Sequence, residues 1–264
     1  MQTLKAALEQ AIETIDRVDA HVLMAHVLGV NRAYLAAHPM RLLTESEDAR
    51  VDMLVAQRAV GQPVAYLVET REFYGRDFFV GPEVLIPRPE TEGLVDAALQ
   101  RLSAGGTCLD LGTGCGAIAV TLAAERPGTR ITATDASEGA LAVARRNARA
   151  HGCEIEFLDG CWYAPLGGRR FDLVVANPPY VAAGDMHLAR GDLRFEPAHA
   201  LTDGSRDGLD SIRAIVAGAP GHLAAGGWLV LEHGHDQGEA VAALLQASGF
   251  RETFSITDLA GIPR

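Results

Sequence analysis

The sequence predicts an α/β fold in which a nucleotide-binding type of domain follows a small all-α bundle and a β-hairpin linker. Two observations carry this prediction. Up to about residue 65 the apolar residues recur only at helical spacing. From Thr107 onward, short apolar runs alternate with helical segments, which is typical of a parallel sheet with right-handed crossovers. We therefore expect domains at residues 1–65 and 87–264, joined by a linker at 66–86.

Four helices are predicted in the first domain. Apolar residues at helical spacing from Leu4 to Ile15 indicate the first, and the second ends at Gly29. A short third helix fits residues 32–37, before a proline. The fourth opens with Thr44-Glu45-Ser46-Glu47, which has the pattern of a capping box. Nothing here has catalytic spacing, so we interpret this domain as a docking element.

The linker is predicted to be a β-hairpin. In the stretch from Glu72 to Val80, apolar residues flank a turn that contains Gly75. Next, Arg88 lies between two prolines, which favour an extended backbone. Arg88 either belongs to a stiff linker or positions an anion beside a site.

A glycine loop opens the second domain. The strand Cys108–Leu111 is followed at once by Gly112-Thr113-Gly114-Cys115-Gly116 and by a helix from Ala117 to about Glu125. The next strand ends in Asp135, and Ser137 is expected to cap the helix after it. Further strands are predicted at 155–158, 171–176 and 228–232.

This unit favours an adenosine cofactor over a purely structural turn. Glycines let the backbone approach a ligand closely, and Asp135 can accept hydrogen bonds from both hydroxyls of a ribose. The loop reads G-x-G-x-G, whereas the dinucleotide fingerprint is G-x-G-x-x-G. A P-loop Lys-Ser/Thr pair is also missing from the sequence, which argues against ATP chemistry.

A second motif, Asn177-Pro178-Pro179-Tyr180, ends the buried strand Phe171–Ala176. Prolines cannot continue a strand, because they lack the backbone N–H. An amide side chain, stiff carbonyl groups and an aromatic ring suit a planar group that carries an NH2. The alternative is an ordinary strand-ending turn.

Composition narrows the possible partners and compartments. The formal net charge of −11 argues against broad nucleic-acid binding, which depends on neutralising phosphates. The four cysteines form no C-x-x-C pair, so we predict reduced thiols and no metal site. No apolar run approaches the length of a membrane span. We expect a cytoplasmic protein without membrane contact, and a monomer.

The glycine loop and Asp135 resemble the S-adenosylmethionine site of Rossmann-like methyltransferases, and the Asn177 motif narrows this to enzymes that methylate a conjugated NH2 group. The whole chain resembles the bacterial release-factor glutamine methyltransferases, which are protein-(glutamine-N5) methyltransferases. Besides the two motifs, the segments that carry this resemblance are Pro63–Tyr66, Arg71–Gly75, Ile86–Glu92, Arg194–Pro197 and Glu232–Gly234.

The resemblance implies a fold, an activity and a set of site residues. The fold would be a Rossmann-like S-adenosylmethionine-dependent methyltransferase domain, preceded in the chain by the helical bundle and the hairpin linker. The activity would be methyl transfer from S-adenosylmethionine, leaving S-adenosylhomocysteine, to the glutamine side-chain amide in the Gly-Gly-Gln motif of class 1 peptide-chain release factors. Implied cofactor contacts are Gly112, Thr113, Gly114, Cys115, Gly116, Asp135, Trp162 and Asn177. Implied substrate contacts are Asn177, Pro178, Pro179 and Tyr180, of which Asn177, Pro178 and Tyr180 are the expected catalytic residues.

The sequence departs from the family pattern at three places. Glu69 stands where relatives usually have glycine, so a different turn is expected there. Cys161 replaces a polar residue before Trp162, so a polar contact near the adenine is expected to be lost. The chain stops at Asp258–Arg264, where relatives continue through one more strand, so an incomplete sheet edge is expected.

Three other functions are weighed against this one. Methylation of a glutamine in a ribosomal protein is a close variant. A nucleic-acid adenine methyltransferase uses a similar acceptor motif, but the acidic charge argues against it. A non-catalytic adaptor is disfavoured by the intact glycine loop, Asp135 and Asn177.

Overall fold

The structure, a computed structural model, describes residues 1–189, 191–257 and 261–262. It divides into two compact units, residues 1–70 and 71–264. The division into three parts at residues 65 and 86 stays a prediction.

The first unit consists of helices whose ends carry clear local signals. Gly29 ends the second helix in the left-handed conformation. Thr44 and Glu47 form both hydrogen bonds of the predicted capping box. Buried Leu4, Met24 and Val51, from three of the helices, share one apolar core. The helices are α1 (Leu4–Ile12), α2 (Arg17–Leu28), α3 (Arg32–Ala37), α4 (Glu45–Ala59) and α5 (Val64–Leu67).

Glu69 has a backbone conformation that is more usual for glycine. Its φ is +57°, in the left-handed region that side chains other than glycine adopt at a cost. The backbone at Glu69 thus takes a conformation that glycine adopts without this cost.

We expect Glu69→Gly to raise the free energy of unfolding by about 0.5–1 kcal/mol, because relief of the strain outweighs the added freedom of the unfolded chain. Urea unfolding measures this. Glu69→Ala is the matched control, since alanine removes the side chain but keeps the strain. Equal stability of the two variants would contradict the explanation.

A two-stranded hairpin follows, formed by β1 (Thr70–Phe73) and β2 (Arg76–Phe79). Both turn residues, Tyr74 and Gly75, have positive φ, as a two-residue turn that matches strand twist requires. Asn147, which is buried, connects β2 to the interior of the same unit through hydrogen bonds. Its side chain exchanges hydrogen bonds with the backbone of Phe79, at 2.8 and 2.9 Å, and donates to the Cys115 carbonyl at 2.8 Å.

The central sheet is parallel and has the order β5-β4-β3-β6-β7. Its strands are β3 (Thr107–Leu111), β4 (Arg130–Asp135), β5 (Ile155–Asp159), β6 (Phe171–Ala176) and β7 (Leu223–Leu231). The order reverses between β3 and β6, so the carboxyl ends of these two strands form the crevice where such sheets bind ligands. The predicted fold class is confirmed.

Helices accompany these strands as the alternating pattern predicts. They are α6 (Glu92–Arg101), α7 (Ala117–Glu125), α8 (Glu138–Ala150), α9 (Ala198–Leu201), α10 (Asp210–His222) and α11 (Gly238–Ala247). Alternate residues of β3 and β6, such as Leu109 and Val174, pack against Ile215 of α10 in one buried cluster. The Ser137 hydroxyl caps α8 by accepting from the Ala140 N–H at 3.2 Å.

The last strand differs from the prediction. It begins at Leu223, five residues before the expected Trp228, and its register with β6 shifts after Phe171. Gly226, with φ +76°, lies in this irregular part. Gly226 and Gly227 hide the strand pattern in the sequence, because glycine has no side chain whose polarity shows which face of the sheet it lies on. The expected incomplete sheet edge at Asp258–Arg264 falls largely outside the described residues.

Candidate functional site

A cleft of about 410 Å³ opens at the carboxyl ends of β3 and β6. This volume lies in the range of about 300–1,000 Å³ that is usual for small-molecule sites. The predicted site residues among its described walls are Gly112, Thr113, Gly114, Cys115, Asp135, Trp162, Asn177 and Pro179. Gly116, Pro178 and Tyr180, also predicted, are not among those walls.

The glycine loop is shaped by close contacts that exclude larger residues. A Cβ on Gly112 would lie 3.2 Å from the Trp162 ring, and one on Gly116 would lie 3.2 Å from the Ala144 Cβ. Both residues also have positive φ. Gly116 thus lets α7 approach α8, while Gly112 lets the Trp162 ring close over the loop.

Asp135 holds the loop from the end of β4. One carboxylate oxygen accepts the Gly114 N–H and the other accepts the Ser137 N–H, each at 2.9 Å. These bonds fix the side chain beside the cleft, and each oxygen keeps a second lone pair. Asp135 can therefore still accept hydrogen bonds from a diol.

Asp110 lies fully buried under the same loop. It accepts a hydrogen bond from the Thr113 hydroxyl at 2.6 Å. Burial raises the pKa of Asp110 to about 7, with a further rise from the charge on Asp135, although the Thr113 bond opposes it. The carboxyl group therefore binds a proton more readily in the folded chain.

This shift predicts a pH-dependent stability. Between the unfolded pKa of 3.8 and the folded pKa of about 7, the folded state binds more protons, so Asp110 lowers stability as pH rises. The free energy of unfolding of Asp110→Asn, relative to that of the wild type, should rise by about 1.4 kcal/mol per pH unit up to near pH 7. Above that pH the difference should stay constant. Urea unfolding of the ligand-free protein from pH 5 to 8 measures this. A pH-independent difference would contradict the assigned cause.

The Asn177 motif is held by residues that the sequence reasoning did not single out. The Asn177 Nδ2 donates to the Thr91 hydroxyl at 3.0 Å, and Thr91 donates to Glu232 at 2.8 Å. The Tyr180 hydroxyl donates to the other Glu232 oxygen at 2.9 Å. The Gln237 side chain donates to the Tyr180 carbonyl at 3.0 Å. Thr91 and Glu232 stood within segments of the family resemblance, but no local pattern pairs them.

Arg88 is charge-paired with Glu196, whose side chain is fully buried. The same carboxylate accepts the Ile86 N–H at 3.0 Å. Glu196 thus fixes the proline-rich segment at the cleft wall, because it binds both backbone and side chain there. This geometry favours a structural role for Arg88 over capture of an external anion.

Among the described residues, no cluster of three or more His, Cys, Asp or Glu is placed to hold a metal ion. Within the same part of the chain, every helix is too short or too polar to cross a membrane. Cys161 lies exposed at the cleft wall, next to Trp162.

Two family models match the chain. Residues 1–68 match the PrmC N-terminal domain, and residues 91–204 match the methyltransferase small domain. The second match covers the glycine loop, Asp135 and the Asn177 motif, so both predicted motifs lie within the methyltransferase domain.

Curated relatives match nearly the whole chain. Proteins named release factor glutamine methyltransferase from Xylella fastidiosa and Burkholderia pseudomallei are each 51% identical, over 96% and 95% of this chain and 93% and 90% of their own lengths. One from Vibrio cholerae is 42% identical over 99% of this chain and 95% of its own. A solved methyltransferase from Pyrococcus furiosus shares the fold, with a TM-score of 0.55 and 19% identity, over 78% of this chain and 91% of its own.

Proposed function

The chain belongs to the release factor glutamine methyltransferase family, and we propose that its cleft transfers a methyl group from S-adenosylmethionine to a glutamine side-chain amide of a class 1 release factor. The observation that carries the proposal is the position of the Asn177 amide, at the wall of the same cleft as the glycine loop and Asp135. The residue proposed to bind the acceptor amide and the residues proposed to bind the cofactor thus line one cleft.

The residues present fit the cofactor. Asp135 offers fixed carboxylate oxygens for a ribose diol, and the Gly114 side of the loop is open, with no atom within 4 Å of a Cβ placed there. Trp162 supplies a flat apolar wall. When bound, S-adenosylmethionine supplies an electrophilic methyl group on a positively charged sulfur.

Asn177 is proposed to orient the acceptor amide. An amide nitrogen is a weak nucleophile, because its lone pair is delocalised into the carbonyl group. The Asn177 Oδ1 and the Pro178 carbonyl can accept its two N–H groups, which aims the nitrogen and favours the positive charge that grows on it. The methylated nitrogen is then acidic enough to lose its proton. No strong base is needed.

The test incubates the protein with methyl-labelled S-adenosylmethionine and a class 1 release factor, and locates the label by mass spectrometry. We expect label on the glutamine of the Gly-Gly-Gln motif. A release factor with glutamine replaced by alanine at that position is the control. Label on a ribosomal protein or on nucleic acid instead, with none on the release factor, would contradict the proposal.

The helical unit is proposed to dock the release factor. Deleting residues 1–62 should leave S-adenosylmethionine affinity within about threefold, while methylation of intact release factor falls by at least tenfold, since docked substrates react at a higher effective concentration. Calorimetry and initial rates measure the two effects. A short Gly-Gly-Gln peptide is the control substrate, because it should lose little. Equal activity of both proteins on intact release factor would refute docking.

A further inference from the structure

Three side chains from distant parts of the second unit, Asn177 among them, are joined by hydrogen bonds at the cleft. Thr91 precedes α6, Asn177 follows β6, and Glu232 follows β7. Thr91 is 4% exposed and Glu232 is 3% exposed. Their hydrogen bonds run in one direction, from the Asn177 Nδ2 to the Thr91 hydroxyl at 3.0 Å, and from that hydroxyl to Glu232 Oε2 at 2.8 Å.

The direction follows from what each group can do. A carboxylate only accepts hydrogen bonds, so Glu232 takes the single hydrogen of the Thr91 hydroxyl. The Thr91 oxygen can then only accept from Asn177. The Asn177 side chain must therefore present its NH2 group to Thr91, and its carbonyl oxygen is left on the other side of the amide.

We propose that Thr91 is a positioning residue that, with Glu232 behind it, selects the amide orientation in which the Asn177 carbonyl oxygen serves as the acceptor. This inference rests on the proposed function, because only a substrate that donates N–H groups needs that orientation. Without the relay, an amide rotated by 180° about its last bond presents NH2 to the substrate nitrogen, and two donors then face each other.

Burial explains why the relay is specific. In water either orientation of an amide finds partners, but a wrong orientation here would leave the Asn177 oxygen facing the lone pairs of Thr91. Asn177 is half-buried but Thr91 is buried, so an acceptor that faces Thr91 without a donor is costly, and the fold itself disfavours the rotated amide. Asn177 is preorganised before any substrate binds.

Kinetics on release factor test the relay through Thr91→Val, which keeps the shape and removes the hydroxyl. We expect kcat to fall about 10- to 100-fold, as a loss of orientation predicts, with KM and cofactor affinity within about threefold. Thr91→Ser restores the hydroxyl and should recover kcat to within about threefold of the wild type. Thr121→Val is the matched control, since Thr121 is fully buried and its hydroxyl has no hydrogen-bond partner among the described residues. It should keep the wild-type kcat.

A second variant separates the relay from loss of the hydroxyl. Glu232→Gln keeps Thr91 but turns one carboxylate oxygen into a donor, so the Thr91 hydrogen is no longer committed. We expect a fall in kcat here also, with an unchanged cofactor affinity. Wild-type kcat in both Thr91→Val and Glu232→Gln, with folding shown by circular dichroism, would overturn the proposal.

A readout without substrate distinguishes this inference from the proposed function. In ¹⁵N NMR spectra of the ligand-free protein, the Asn177 NH2 signal is assigned by its loss in Asn177→Asp. It should shift in Thr91→Val and Glu232→Gln but not in Thr121→Val. An unshifted signal in the first two overturns the relay even if the wild type methylates release factor. If the signal shifts in these variants but the wild type leaves release factor unlabelled, the relay is supported and the proposed function is refuted.

Discussion

Asn177→Ala is expected to lower the rate of methyl transfer to release factor by about 10²–10³-fold, the usual loss for one oriented transition-state acceptor or donor. Cofactor affinity should fall far less, because the glycine loop and Asp135 are anchored independently of Asn177. Single-turnover rates and calorimetry on the same preparations measure the two effects. Near-normal turnover in Asn177→Ala would mean that the motif is only a strand-ending turn.

Asn177→Asp makes a sharper comparison. A carboxylate still accepts from the substrate, but it cannot donate to Thr91 and it brings a second negative charge toward buried Glu232. We therefore expect activity between those of Asn177→Ala and the wild type. Activity of Asn177→Asp below that of Asn177→Ala would contradict the acceptor role.

Local signals predicted many of the elements. The strand Phe171–Ala176 and the helices Arg32–Ala37 and Ala117–Glu125 lie where the sequence placed them. Each is bounded by residues that act within one turn, such as a proline pair or a glycine with positive φ. The glycine loop and Asp135 were predicted for the same reason, because β3, its loop and β4 are consecutive.

The support of the site could not be predicted in this way. Thr91 is separated from Asn177 by 86 residues and from Glu232 by 141, so the hydrogen bonds between them depend on the sheet order. Arg88 and Glu196 are 108 residues apart. A buried carboxylate gives no local periodic signal, because its partners, here Thr91 and Tyr180 for Glu232 and Arg88 for Glu196, lie in segments far away in the chain. The structure thus adds the residues that orient the motif, while the motif itself was visible in the sequence.

The Tyr180 end of the motif packs closely against Gly208. Gly208 has φ +67°, and a Cβ there would lie 2.1 Å from the Tyr180 carbonyl oxygen and 3.1 Å from the Ala182 nitrogen. That oxygen also accepts from Gln237, which donates to the Asp207 carbonyl as well. The segment after Asn177 therefore cannot move away without breaking this bridge.

Gly208→Ala should destabilise the protein by roughly 2–5 kcal/mol, the sum of a left-handed alanine and an overpacked contact. In the fraction of the protein that still folds, the rate of methyl transfer should also fall by about 10²-fold. The reason is that a shift of the Tyr180 backbone also moves Asn177, which lies only three residues before it in the chain. Urea unfolding and single-turnover rates measure the two losses.

Gly204 supplies the matched control within the same loop. Its φ is +82°, but a Cβ there meets nothing within 4 Å. Gly204→Ala should cost only the backbone strain, about 1–2 kcal/mol, and leave methyl transfer unchanged. If the two variants lose stability and activity equally, strain alone explains Gly208, and close packing does not position the Asn177 motif.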